Sequence, residues 1–173
     1  MSGPGGVKIR PATATDHDAI WDILRPIYRA GETYCIPRDI DRDEALADWF
    51  AAPFTAFVAE VDGRILGTSH VGANRPAGGF HVSNASFATH PDARGRGIAR
   101  ALGEHAKAWA RSQGFRAMQF NFVVSTNEDA VHLWQKLGFT IAGRLPGAFV
   151  HPGKGPVDAL VMFQNLKGET NEP

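Results

Sequence analysis

The sequence predicts a single α/β domain with a mixed sheet. Three observations carry that expectation. Strand-like and helix-like segments follow one another in the order β-α-α-β-β-β-α-β-α-β-β. Asp62-Gly63 separates two strand-like runs, a strong two-residue hairpin signal. The 173 residues contain no internal repeat and no linker, a length that suits one sizeable core.

Val7 to Arg10 reads as a short strand ended by Pro11. Thr15 or Asp16 can N-cap a helix whose Ile20, Ile23, Leu24 and Ile27 recur at three- and four-residue steps. Pro26 falls inside that pattern and predicts a kink or an end. Gly31 to Asp39 is a loop, and Asp43 to Phe50 a second, shorter helix. Phe54 to Val61 and Arg64 to Val71 flank the hairpin turn; a Gly/Pro-rich loop runs from Gly72 to Gly79, and Phe80 to Thr89 is another strand. From Gly97 to Arg111 the pattern is helical, with Ile98, Ala101, Leu102, His105 and Trp109 on one side and Gly114 as the C-terminal stop. Phe115 to Val124 is rich in aromatic and β-branched residues, as strands are. Asn127 to Leu137 is a helix grouping Ala130, Leu133, Trp134 and Leu137, terminated by Gly138. Phe139 to Gly143 and Val157 to Phe163 supply the last strands, around a loop from Leu145 to Pro156. A flexible leader (1–6), a folded domain (7–166) and a frayed tail (167–173) complete the expected organisation.

Composition narrows the function classes. Hydrophobic residues make up 43% and charged residues 21%, as in an ordinary globular protein. Lys+Arg and Asp+Glu are both 18, so no overall field favours nucleic acid or an anionic membrane, although a local basic site stays possible. The lone Cys35 forms no internal disulfide and does not make a zinc cluster, so no metal is expected; this usage fits a reducing cytoplasm. No apolar run approaches the ~20 residues that span a bilayer. The first residues lack the charged and apolar regions of a signal peptide.

The most informative segment is Thr89-His-Pro-Asp-Ala-Arg94-Gly95-Arg96-Gly97-Ile98-Ala99-Arg100, which joins a strand end to a helix start. Its glycines allow close backbone approach and turn geometries barred to other residues. The unpaired N–H groups of the first helical turn make an anion site. Arg94, Arg96 and Arg100 add charge that pairs with phosphates. Read alone, the segment is either a pyrophosphate cradle or a glycine-punctuated turn with solvated arginines. No Gly-Lys-Ser or Gly-Lys-Thr is present, which excludes the phosphate loop of nucleotide hydrolases. The third glycine of the dinucleotide fingerprint is also missing, since Arg100 stands there.

Arg94-Gly95-Arg96-Gly97-Ile98-Ala99 matches the R/Q-x-x-G-x-G/A signature of the GCN5-related N-acetyltransferase (GNAT) superfamily. Asn127-Glu-Asp-Ala130-Val-His-Leu133-Trp134-Gln-Lys-Leu-Gly138-Phe139 resembles its second signature, N-x-x-A-x-x-L-Y-x-x-x-G-F, in the right order and at the usual separation. The resemblance covers Val7 to Leu166. It implies the GNAT fold, a mixed central sheet of about six or seven strands with helices on both faces, and acetyl-CoA as cosubstrate. It assigns the pantetheine arm to the backbone of Phe87 and Thr89, with a backbone N–H there, at Thr89, polarising the thioester carbonyl. It gives the pyrophosphate to Arg94, Gly95, Arg96, Gly97 and Ala99, and the pantetheine amide to Asn127, which also reads as a plain N-cap. Trp134 lines the cofactor site where the family commonly has Tyr. An indole supplies no acid for the departing thiolate, so transfer is expected to proceed directly in a ternary complex.

The acceptor side is less defined. Phe80 to Thr89 contains no carboxylate; His81, Ser83, Asn84 and Ser86, with Glu32, Tyr34 and His70 elsewhere, remain candidates for the base. Glu32-Thr-Tyr34 and its surroundings look like small amino-acid acetyltransferases of the phosphinothricin type. Glu32 would pair with a substrate ammonium and Tyr34 would wall the pocket; a solvated Glu and a packed Tyr read equally well. Asn121 interrupts an apolar strand, where Asn is disfavoured. The segment from Phe120 to Asn127, with Val157-Asp158-Ala159, is similar to fungal acetyltransferases of azetidine-2-carboxylate and related proline analogues. That similarity implies that Asn121 contacts the amino-acid acceptor and takes part in catalysis. The long loop Leu145–Pro156, with His151 and Lys154, reads as mobile surface or as a lid. The leading expectation is N-acetylation of a small-molecule amine, with no nucleic-acid or membrane partner. The alternatives are a protein or peptide N-acetyltransferase and a non-catalytic acyl-CoA-binding module. The resemblance also implies a homodimer.

Overall fold

The computed structural model describes residues 6–167; the expected leader and tail lie, apart from Gly6 and Lys167, outside them. In chain order the elements are β1 (Lys8–Pro11), α1 (His17–Ala30), α2 (Arg42–Trp49), β2 (Thr55–Val61), β3 (Arg64–Ala73), β4 (Val82–Thr89), α3 (Ile98–Ser112), β5 (Ala117–Val124), α4 (Glu128–Lys136), β6 (Thr140–His151) and β7 (Gly155–Asn165). All strands join one seven-stranded sheet in the order β1-β2-β3-β4-β5-β7-β6. Among the described residues only β4 and β5 pair in parallel, so the sheet is mixed, as expected.

Strand β2 shows how the helices are distributed. Ala56 and Val58 pack with Ile20, Ile23, Leu24 and Tyr28 of α1 and with Trp49 of α2. Phe57 packs with Ala106 and Ala110 of α3, while Ala59 and Val61 meet Ile98 and Leu102 of the same helix. Successive side chains of a strand point to opposite faces, so helices cover both sides of the sheet. The turn between β2 and β3 takes left-handed φ values at both central residues, 50° at Asp62 and 76° at Gly63, as the Asp-Gly pair predicts.

Two expectations need correction. Of the kink or end expected at Pro26, the end does not occur: α1 continues to Ala30. The proline lies on the exposed face, as does Asp22, whose carbonyl loses its N–H partner to the proline and is therefore open to solvent. The expected loop Leu145–Pro156 is mostly strand: β6 runs to His151 and β7 begins at Gly155. The Pro-Gly pair at 146–147 marks a register shift within an edge strand, between Leu145 and Phe149. Asp158 accepts hydrogen bonds there from Gly147 N–H (2.9 Å) and Arg144 (2.9 Å).

The start of α1 is tied to the sheet by charge. Asp16 occupies the N-cap position but makes no side-chain capping bond to α1. Its carboxylate accepts instead from both terminal nitrogens of Arg10 on β1 (2.8 and 2.9 Å) and from Thr13 N–H (2.8 Å). The Arg10 hydrogen bond, aided by Thr13, holds the Asp16 carboxyl at about 2, below the usual 3.8. The pair is a bidentate fork on a buried carboxylate. No described helix is long and apolar enough to cross a membrane.

A carboxyl with a lowered native value stabilises the fold above its unfolded value, and this contribution is lost as pH falls through the native one. Asp16→Asn should therefore lower unfolding free energy by about 2 kcal/mol above pH ~4. The gap should close as the wild type is taken toward pH ~2, measured by urea unfolding across that range.

Candidate active site

The site begins where β4 and β5 part. They pair at Val82 with Ala117 and at Ser83 with Met118, and no further. Ser83 Oγ donates to Ala117 O (3.0 Å) and Arg116 N–H to His81 O (2.8 Å), which closes this end. Beyond it β5 carries a register shift against β7 between Phe120 and Val123, at Asn121 and Phe122. Such a bulge bends its strand, and here it coincides with the separation from β4.

Which β4 groups face the gap follows from the ladder. His90 N–H donates to Leu66 O (2.9 Å) and Asn74 N–H to Val82 O (2.8 Å), so even-numbered residues turn their backbone toward β3. The odd-numbered Ala85, Phe87 and Thr89 turn theirs toward β5. Two of these groups are answered by side chains. Asn84 Oδ1 accepts from Ala85 N–H (2.8 Å), and Tyr34 O–H donates to Phe87 O. The N–H groups of Phe87 and Thr89 point into the gap.

The gap is a cleft of about 570 Å³, within the range of small-molecule sites. Phe87, Thr89, Ala99, Asn121, Asn127, Trp134 and Tyr34 all line it, so the sequence-predicted pantetheine residues and two acceptor residues, Tyr34 and Asn121, converge on one cavity. Trp134 is buried and packs on Phe87 and Phe120, with ring centroids 4.7 and 5.0 Å away, so it acts as an apolar wall. Asn127 takes the N-cap position of α4 but makes no side-chain capping bond, so its amide stays available to the cleft. Burial pushes the Tyr34 hydroxyl far up, with its bond to Phe87 O opposing, so the phenol keeps its proton.

The loop between β4 and α3 forms the cleft's other end. Gly95 and Gly97 hold left-handed φ of 73° and 71°, and an added Cβ at either would meet nothing within 4 Å. Glycine is required there by conformation, and the open space beside it admits a ligand. Gly97 N-caps α3, whose first turn holds no acidic residue. Arg94 is exposed, and Arg96 lies 3.7 Å from Asp62 on the β2–β3 turn. Free N–H groups, a helix dipole and arginines together fit a pyrophosphate.

The acceptor side departs further from the sequence reading. Asn121 donates to Asn74 Oδ1 (2.7 Å) and accepts from Gln119 (2.9 Å), so its amide is oriented by a chain of carboxamides. Nothing in the sequence links Asn74 to Asn121; their contact follows from the strand order. Glu32 does not line the main cleft. It borders an adjoining chamber of about 110 Å³ with Thr33, Thr126, Asn127 and His151. His151 is buried on β6, which corrects its reading as mobile loop. His70 is withdrawn as a base candidate: it stacks between Trp49 and Phe54 at 4.3 and 4.5 Å, with Nδ1 at 2.8 Å from Trp49 O. Burial pushes its imidazole below the ordinary 6.5. Cys35 and Asp129, which sequence reasoning left aside or did not single out, also line the cleft.

Residues 17–139 match the Acetyltransferase (GNAT) family. The L-amino acid N-acyltransferase MnaT of Escherichia coli is 30% identical over 145 residues, 81% of this chain and 83% of its own length. The phosphinothricin N-acetyltransferase of Streptomyces viridochromogenes is 30% identical over 156 residues, 85% of this chain and 82% of its own. The structure of yncA from Salmonella typhimurium with its cofactor acetyl-CoA is 26% identical, covers 97% of this chain and 98% of its own, and superimposes with a TM-score of 0.83. With most of its length matched by this family and by these relatives, the chain belongs to the GNAT family of acetyl-CoA-dependent N-acetyltransferases.

Proposed function

We propose that the protein transfers the acetyl group of acetyl-CoA to the amine of a small molecule, an amino acid or proline analogue, within a single catalytic domain (7–166) acting in the cytoplasm. The observation that carries this reading is the continuity of the cleft from Ala99 at the start of α3 to Asn84 and Asn121 at the closed end of the β4–β5 gap. Thr33, Tyr34 and Cys35 wall that cavity from the α1–α2 segment. The enclosure suits a compact acceptor better than an extended peptide. The relation to an L-amino acid N-acyltransferase and a phosphinothricin N-acetyltransferase supports the same class.

In this reading the glycine-arginine loop and the first turn of α3 hold the pyrophosphate, with charge from Arg94 and Arg96. Asn127 and the backbone of Phe87 and Thr89 hold the pantetheine arm. Acetyl-CoA supplies an activated acyl group as a thioester. The Thr89 N–H, aimed into the gap, polarises the carbonyl and stabilises negative charge as it develops there. Trp134 excludes water and offers no proton to the leaving group. A thiol with an ordinary value near ~8.5 leaves at neutral pH with a hydrogen bond or water alone. The exposed edge strand β6, open at Ile141, Leu145 and Val150, supports a homodimer formed along that edge.

Thiol release from acetyl-CoA, measured across amino acids, imino acids, simple amines and peptides, should give its strongest signal with amino or imino acids; a preference for peptides would reject the small-molecule reading. Gly97→Val should raise the KM for acetyl-CoA at least about tenfold, because a β-branched residue at a φ of 71° is strained by ~1–2 kcal/mol and fills space beside the phosphates. Asn121→Ala should raise acceptor KM or lower kcat while acetyl-CoA binding stays unchanged. Unaltered acceptor kinetics would remove Asn121 from the site.

A further inference from the structure

The chamber beside the main cleft is lined by polar side chains: Glu32, Thr33, Thr126, Asn127 and His151. It shares Thr33 and Asn127 with the cleft, so the two spaces adjoin. Its walls come from three separate parts of the chain: Glu32 after α1, Thr126 before α4, and His151 at the end of β6. His151 Nδ1 accepts the Gly153 N–H (3.0 Å), so a neutral ring carries its proton on Nε2. That Nε2 faces Glu32 Oε1 at 4.0 Å. The distance is too long for a direct hydrogen bond, which leaves the carboxylate's lone pairs free for a ligand. The Glu32 side chain is 57% exposed, whereas that of His151 is 10% exposed. One partner therefore reaches water while the other is fixed by the β6–β7 hairpin.

We propose that Glu32 receives the acceptor as an ammonium ion and removes its proton, and that His151 is the positioning residue that aims the carboxylate. This inference rests on the small-amine acetyl transfer proposed above. In the step, the carboxylate takes one N–H proton from the ammonium. The freed nitrogen lone pair forms the C–N bond at the thioester carbonyl, the C–S bond breaks, and coenzyme A departs as thiolate. The nitrogen passes its second proton to the departing thiolate, and Glu32 returns its own to solvent through its exposed side. The His151 ring, with Nδ1 already engaged, presents its Nε2–H toward the carboxylate at 4.0 Å and is not itself the base. The arrangement supplies the carboxylate that β4 lacks.

The test compares two acceptors on the full chain: a protonated amine, such as an amino acid found active in the panel, and an alkoxyamine, whose nitrogen is unprotonated at neutral pH. Glu32→Gln should lower kcat/KM for the protonated amine by about a hundredfold, as expected for loss of a general base. It should leave the alkoxyamine reaction and acetyl-CoA binding nearly unchanged, and Glu32→Asp should recover part of the loss. His151→Ala should show the same selectivity with a smaller effect. Equal losses with both acceptors, or no loss with either, would overturn the proposal. If the wild type releases no thiol with any amine, the proposed function itself fails.

Discussion

The parting of β4 from β5 is the constraint on which the rest of the molecule depends. A parallel pair in the middle of a sheet ordinarily saturates its backbone groups. Here pairing stops after Ser83 and Met118, and the strands diverge for the remainder of their length. Unpaired buried backbone groups are costly, so the structure must both hold the gap open and answer what it exposes. The bulge at Asn121 and Phe122 accompanies the bend in β5. The rings of Phe87, Phe120, Trp134 and Phe139 fill the floor, with Phe120 stacked on Phe139 at 4.4 Å. Exchange of β-ladder hydrogen bonds for aromatic packing keeps the cleft from collapsing.

The exposed groups are not treated alike, and that selectivity is chemical. Ala85 N–H and the Phe87 carbonyl are each met by a side chain, Asn84 and Tyr34. The N–H groups of Phe87 and Thr89 are left for a ligand. Fixed donors aimed at a developing oxyanion act without reorganising during reaction. The wall opposite carries its own adjustment. A Cβ added at Gly103 would lie 2.7 Å from Leu137 Cδ1 and 3.0 Å from Trp134 Cζ3. The close approach of α3 to α4 is thus matched to the indole, and Gly103 is part of what lets a Trp occupy this position.

Much of this was legible in the sequence because it rests on local rules. Element order, the Asp-Gly hairpin and the glycine-arginine helix start are written in residues adjacent along the chain. Asn121 was visible as a polar residue in an apolar strand, and the anomaly marked a bulge. The misreadings come from context that spacing does not carry. Pro26 is tolerated because its face is exposed, and Pro146-Gly147 sits in an edge strand that accepts an irregularity. The proline-glycine pairs at 146–147 and 152–153 hid a β-hairpin, and with it the burial of His151. The contacts Asn74–Asn121 and Glu32–His151 join residues 47 and 119 positions apart, so only the folded topology brings them together.

The phosphate loop is a separate physical problem, since it must be irregular yet fixed. Its ion pairs do not fix it: Arg64–Asp92 joins side chains that are each more than half exposed, and Arg96–Asp62 is 3.7 Å long on the surface. Exposed pairs of this kind contribute little and weaken with salt. The stronger restraint is apolar. Ala93 within the loop and Ile98 at its end are buried with Leu66 of β3 and Leu102 of α3. These anchors pin the chain on either side of Arg94 to Gly97, while the left-handed glycines let the intervening backbone turn outward. The exposed arginines can then serve the ligand, because they are not needed to hold the loop.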